Sequence, residues 1–401
     1  MRSQNVHNHG FEHGGLAFIS EEQASKLDGV AVFPHDVLLN ITGDSVARVC
    51  QAPEDLGPAR VNQHVAIIRP AREVLDPQFL RYYLVNASVQ EHMLALASVG
   101  ATRPALTKSM IEDFEIEAPE IEGQREIAST LGALDDKIEL NRRMAATLEE
   151  MARALYRSWF VDFDPVKAKA EGLAPAFMDE TTAALFPDRF GDDGLPEGWG
   201  MMPLSSLCVQ VKESIDPRKN TDRIFDHYSL PAFDAGKGPV REPGSAIQSQ
   251  KLRIPTEAIL FSRLNPTTPR IWWARTSDQV FASVASTEFL VAVSRIKGDM
   301  PFLYSLLVSD EFRGNVIARV TGTSNSHQRV KPASVLDIEV VGATDEIRGA
   351  YGAVTTPWFD RIDELNQENR NLAELRDALL PKLMSGEIRV GKIENHIEAV
   401  A

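Results

Sequence analysis

Cysteine is nearly absent: the 401 residues contain Cys50 and Cys208 and no other. Two thiols so far apart in sequence exclude a disulfide framework and a cysteine-based metal site, and they fit a reducing compartment. Long apolar runs are missing as well. No stretch approaches the roughly 20 residues of a membrane span, and the amino terminus has neither the basic start nor the apolar run of a signal peptide. These absences predict a cytoplasmic protein with no membrane partner. Positive charge is also in short supply, because the net charge is -15. That excludes non-specific nucleic-acid binding by the whole surface but not a local basic face. The acidic excess is uneven: residues 1–119 carry 9 Lys/Arg against 15 Asp/Glu, 120–194 carry 9 against 16, and 195–340 carry 17 against 15.

Catalytic signatures are a further absence. A phosphate-cradling G-x-x-x-x-G-K-[ST] loop does not occur, nor does G-x-G-x-x-G, G-x-S-x-G or H-E-x-x-H. An Asn/Asp-Pro-Pro-aromatic element for base methylation is missing, and "NPTT" at 265–268 is not one. His7, His9 and His13 lie close together in "HNHGFEH", but their spacing fits no standard zinc pattern, so a solvated loop is the better reading. The sequence therefore predicts no catalytic residue, no metal site and no cofactor held by this chain.

What is present is repetition. "DVLLNITG" (36–43) resembles "AILFSRLN" (258–265), and "VNQHVAII" (61–68) corresponds to "ASTEFLVA" (285–292). "PQFLRYYL" (77–84) corresponds to "MPFLYSLL" (300–307), "VGATRPAL" (99–106) to "TGTSNSHQ" (321–328), and "IEDFEIEAP" (111–119) to "VLDIEVVG" (335–342). The pairs share an offset of about 221 to 224 residues, so one α/β architecture is written twice. By that offset roughly 30 residues of the module precede the position of Met1, so the first copy reads as shortened at its start.

Each copy is followed by a long amphipathic helix. Ile138, Asn141, Leu148 and Leu155 lie on one 4,3-spaced seam, and Ile362, Leu365, Asn369, Leu372 and Leu379 lie on a second. One asparagine per seam is the device by which a coiled coil fixes register and partner, so the two helices are expected to pair with each other. Packing of each seam on its own module is the alternative. Pro357 is expected to start or kink the second helix, and Pro381 with Gly386 to end it. The predicted organisation is a first module at 1–119, a helix at 120–164, a linker with a short helix at 165–194, a second module at 195–342, a second helix at 343–390 and a tail at 391–401. The fold class is α/β (α+β) with a pseudo-twofold internal repeat.

Polar loops at equivalent places in the two copies are the candidate binding residues. The first offers Thr102, Arg103 and Lys108; the second offers Thr323, Asn325, His327, Gln328, Arg329 and Lys331. Asn and Gln suit adenine edges, Arg suits guanine, and Ser, Thr and Lys suit the phosphate backbone. The strand-end loops at 39–48 and 261–270, the latter with Arg263 and Asn265, are weaker candidates, as are residues 2–5. A solvated turn is the bland alternative for each.

At this point the chain resembles a type I restriction-modification DNA specificity (S) subunit along nearly its whole length. The resemblance is carried by "QREIASTLGALDDKIELNRRMAATLEEMARALYRSWFVDFDPV" (124–166), "LPEGW" (195–199), "ENRNLAELRDALLPKLMSGEIRV" (368–390) and "GAT" (100–102). It implies two target recognition domains, each reading half of a split, asymmetric site in double-stranded DNA, with two antiparallel helices between them as a ruler. About 36 helical residues would make a rod of roughly 55 Å, longer than one duplex turn of about 34 Å. It also implies methylation (M) subunits, a restriction (R) subunit, and S-adenosylmethionine, ATP and Mg on those partners. One departure is that the first module lacks the "LPEGW"-like opening usual in the family. A coiled-coil scaffold that keeps the architecture without DNA binding is the competing expectation.

Overall fold

A computed structural model of the chain describes residues 1–8, 10–98, 103–236, 238–276, 282–321 and 328–392. The chain divides into two units, residues 1–143 with 365–401 and residues 144–364, and each long helix is shared between them.

In the first unit the apolar run Val37–Asn40 is buried at every position and forms the middle strand of three. A strand packed on both faces reads as a continuous apolar stretch rather than an alternating one. Val49–Gln51 and Val65–Ile68 flank it antiparallel, with Leu38 opposite Cys50 and Leu39 opposite Ala66. Burial pushes the Cys50 thiol up to about 12, so it behaves as a small apolar side chain. The helix Pro77–Val85 follows, started by the Asp76 carboxylate, which accepts from the amides of Gln78 and Phe79 at 2.9 Å, with proline in the first turn. Leu80 and Leu84 of this helix pack on the sheet, while Phe79 and Tyr82 pack on Leu131 and Leu379 of the long helices.

The second unit repeats that arrangement with additions. Glu257–Ser262 is the counterpart of the middle strand, Ile271–Arg275 and Phe289–Ser294 flank it, and Cys208–Val211 extends the sheet to four strands. Phe261 lies opposite Leu290, as Leu39 lies opposite Ala66. A separate five-stranded sheet joins Ile224–Tyr228 to Ala282–Ala285 in parallel, the other pairings being antiparallel. Glu339–Gly342 pairs with Gly200–Pro203. The corresponding residues 115–118 of the first unit form no strand, although the sequence match suggested equivalence.

The long helices run from Ile121 to Phe160 and from Asp345 to Met384. In the first unit they lie antiparallel: Asp135 meets Arg376, and Asn141 meets Asn369. In the second unit the Tyr351 hydroxyl donates to the Ala152 carbonyl at 2.9 Å, and Tyr156, Phe160, Phe302 and Tyr351 stack edge to face in one core.

Two expectations need correction. Pro357 neither starts nor interrupts its helix, which begins twelve residues earlier at Asp345. Interior proline costs about 3 kcal/mol, but Tyr351, Thr355 and Phe359 on the flanking turns are buried and hold the helix through it. Residues 165–194 are also more than a linker with one short helix. They form Asp164–Ala170 and Glu180–Leu185 and insert Val166 and Phe186 into the core of the second unit. Isolated apolar residues among Pro, Gly and acids show no period, so sequence pattern could not reveal that packing.

Candidate nucleic-acid interface

The polar loops meet the strand-end loops in both units, with the same backbone geometry. In the second unit Leu264 bridges Arg329, the Val330 amide donates to the Arg263 carbonyl at 3.1 Å, and the Asn265 amide donates to the Gln328 carbonyl at 3.0 Å. In the first, Thr42 bridges Ala105, the Leu106 amide donates to the Ile41 carbonyl at 2.9 Å, and the Gly43 amide donates to the Pro104 carbonyl at 3.2 Å. Gly43 and Asn265 occupy matching places and both take left-handed backbone, φ 76 and 48. Glycine does so freely, and asparagine is among the few side chains that tolerate it.

The side chains on this common frame differ. In the second unit Glu288 lies between two guanidinium groups, accepting from Arg329 at 2.8 Å and standing 3.9 Å from Arg263. Arg263 also donates to the Thr287 carbonyl. Arg329 is half exposed at 54%, so its guanidinium is held by one carboxylate yet open to solvent. The Glu288 Oε2 and Asn265 Oδ1 atoms are buried without a hydrogen-bond partner. Lys331 is exposed and precedes the helix Pro332–Leu336, making no side-chain cap bond to it. In the first unit the position matching Arg329 is Ala105, and the position matching Glu288 is His64, whose Nδ1 lies 2.6 Å from the Thr42 hydroxyl. Arg103 is exposed there, and among the described residues Lys108 pairs with the exposed Glu112 alone, at 3.4 Å. Such a pair is worth little and gives way readily to a phosphate.

Thus Arg263, Asn265, Gln328 and Arg329 come together, with Lys331 two residues along the chain from Arg329, while Arg103 and Lys108 flank the equivalent place in the first unit. Thr102, Thr323, Asn325 and His327 lie outside the described residues. Glu288 was missed by sequence reasoning; nothing local marks it, and only the fold brings it to two arginines. No His/Cys/Asp/Glu cluster able to hold a metal occurs among the described residues. Nor is any described helix long and apolar enough to cross a membrane.

Of the seam residues, Ile138 and Asn141 are buried in the first unit with Leu365 and Leu379, and Leu372 is half-buried. The Asn141 amide donates to Asn369 Oδ1 at 3.1 Å. Leu148, Leu155 and Ile362 are half-buried in the second unit, the last two against its aromatic core. A charged tie fastens the first unit's Pro77–Val85 helix to both long helices. Asp135 accepts from Arg81 and Tyr82 and from Arg376, each at 2.7 Å. Burial would raise the Asp135 carboxyl, but the two guanidinium groups and the phenol outweigh it and hold it below the usual range.

One loop-bearing module is thus built twice, each copy packed on a pair of long-helix segments. A family model described as "Type I restriction modification DNA specificity domain" matches residues 7–150. The HindI specificity subunit of Haemophilus influenzae is 25% identical over 89% of this chain and 87% of its own length. The MjaIX specificity subunit of Methanocaldococcus jannaschii is 26% identical over 93% and 82%. A solved type I system S subunit from M. genitalium aligns over 88% of this chain and 83% of its own, at 17% identity and TM-score 0.49. The chain is thus similar, along most of its length, to type I restriction-modification DNA specificity subunits. Both of these relatives are themselves named specificity subunits.

Proposed function

We infer that the chain reads a bipartite, asymmetric site in double-stranded DNA, one half with each loop pair, while methylation and restriction subunits dock on it. The observation that carries this reading is the loop pair itself: matched backbone in both units, with Ala105, His64 and Gly43 in one where Arg329, Glu288 and Asn265 stand in the other. A fixed frame with exchanged side chains is what reading two different half-sites requires, since phosphate contacts position and side chains on base edges specify. Arg329 and Asn265 would address base edges, and Lys331, Arg103 and Lys108 the phosphates. The 40-residue helices that connect the modules in sequence would set the gap between half-sites. Docking is supported by apolar side chains left exposed on the first long helix, Leu140 at 55% and Met151 at 45%. S-adenosylmethionine, ATP and Mg would be bound by the partner subunits.

The test is selection of randomised duplexes by the chain co-purified with its methylation subunit, alongside mapping of methylated bases in the host with and without the gene. Two short motifs at constant separation are expected. Recovery of one uninterrupted motif would reject the two-reader reading.

A further inference from the structure

Main-chain bonds fix the place of Glu288 before its side chain enters. Its carbonyl accepts from the Arg263 amide at 2.9 Å, as the His64 carbonyl of the first unit accepts from the Ile41 amide at 2.9 Å. The Arg329 main chain is pinned as well, exchanging bonds with Thr321 at 3.0 and 3.1 Å. Held this way, the Glu288 carboxylate stands 2.8 Å from the Arg329 Nη2, at the rim where the two loops meet. Arg263 is tied to the Thr287 carbonyl and only 25% exposed. Arg329 is 54% exposed, and among the described residues Glu288 is its one side-chain partner.

Folding gains little from this arrangement. A half-exposed ion pair is a weak tie. The second carboxylate oxygen, Oε2, is buried 3.9 Å from Arg263 without a hydrogen-bond partner, which opposes folding. The first unit builds the same frame with neither group, His64 standing for Glu288 and Ala105 for Arg329. The carboxylate occurs in the unit that has the exposed guanidinium and is missing from the unit that lacks it, so its role attaches to the arginine and not to the frame.

We propose that Glu288 sets the specificity of the second unit by holding the Arg329 guanidinium away from phosphates and in place for a guanine edge. The inference rests on the reading that this loop pair binds DNA. A free, exposed arginine takes up any phosphate, and that gain is the same for every sequence. With Glu288 beside it the positive charge is offset and an approaching phosphate meets a carboxylate, which weakens the non-specific contact. Guanine offers the guanidinium two acceptors, O6 and N7, in the geometry of its fork, and carries no full charge for the carboxylate to repel. Specificity is a difference of affinities, and a group that repels the wrong partner widens it. Glu288 is a positioning residue that acts through Arg329.

The test measures binding of the full chain, co-purified with its methylation subunit, to its selected duplex and to a scrambled one across salt concentrations. Glu288→Gln keeps the shape and removes the charge. Affinity for the scrambled duplex should rise about tenfold, with a salt slope steeper by about 0.9 as the freed Arg329 takes up a phosphate. Affinity for the selected duplex should rise less, so discrimination falls. In an Arg329→Ala background the same change should leave scrambled binding as it was, and persistence of the gain there overturns the proposal. An unchanged ratio and slope in Glu288→Gln, with Arg329→Ala still weakening the selected duplex, overturns it and leaves the DNA reading intact. Indifference of both duplexes to Arg329→Ala overturns both. Weaker binding of both duplexes by Glu288→Gln with a lowered thermal midpoint would make the residue structural and overturn the proposal alone.

Discussion

The loop pairs of the two units share hydrogen bonds at matched residues yet oppose each other in charge handling. The second unit cages Arg329 and Arg263 around Glu288, whereas the first places Ala105 and the His64–Thr42 contact there. Backbone frame and recognition chemistry are thus separable: the frame is made by strand pairing and core packing, and the side chains at its rim are free to change without disturbing it. The ties to the long helices also differ in make-up. The first unit uses the Arg81–Asp135–Arg376 cluster with the Tyr82 hydroxyl, and the second uses the buried Arg348–Asp299 pair with the hydroxyls of Tyr351, to Ala152, and Tyr304, to Glu149.

The largest expected effect tests the ties. Asp135→Ala strands Arg81, whose side chain is 10% exposed, and breaking a buried pair on one side costs about 3–5 kcal/mol. Denaturant melts of the full chain should show that loss in the first unit's transition, and a shift below about 1 kcal/mol would mean that the cluster contributes no more than an exposed ion pair.

Close behind is a matched pair of apolar positions on the common frame. Ile338→Ala removes a fully buried side chain and should cost about 2–5 kcal/mol. Its counterpart Phe114→Ala, half-buried, should cost less despite the larger side chain. Equal losses would show that the contrast in burial is false.

On DNA, Arg329→Ala should weaken specific binding by about 1–3 kcal/mol and relax preference at one position of one half-site. Lys331→Ala should weaken binding to all sequences and lower the salt slope by about 1. Titrations against selected and scrambled duplexes at several salt concentrations separate the two. An unchanged motif and affinity in Arg329→Ala would remove that residue from the base-reading set.

The smallest effect concerns acid. Asp135 is held below its ordinary range in the folded state, so its contribution is complete above the unfolded value of about 3.9 and fades as pH falls through the lower folded value. Asp299 in the second unit is shifted the other way, burial raising it more than Arg348 lowers it. Acidification from pH 5 to pH 3 should therefore reduce hydrogen-exchange protection in Pro77–Val85 before Met300–Val308. The opposite order would refute the contrast between the ties.

Much of this was legible in residue order. The seam residues Asn141 and Asn369 mark where the helices meet because a polar residue on an apolar 4,3 repeat stands out against its period. The strand matches 36–43 with 258–265 and 61–68 with 285–292 survive as equivalent strands because both are apolar runs with the same neighbours. Residues 111–119 failed as a match to Glu339–Gly342 because strand formation there depends on a pairing partner, and a pairing partner is not a property of the segment. Glu288 failed as a candidate for a related reason, being one carboxylate among many until folding sets it beside two guanidinium groups.

Sequence by itself determined the twofold repeat, the two long helices and the likeness to specificity subunits, since all three rest on period, spacing and motif along one chain. Only the tertiary structure decided that the strand-end and polar loops form one rim, that Glu288 cages the arginines of one unit, and that the matched positions Ile338 and Phe114 differ in burial. Those are relations between residues tens to hundreds of positions apart, set by strand pairing and close packing, and no local pattern encodes them.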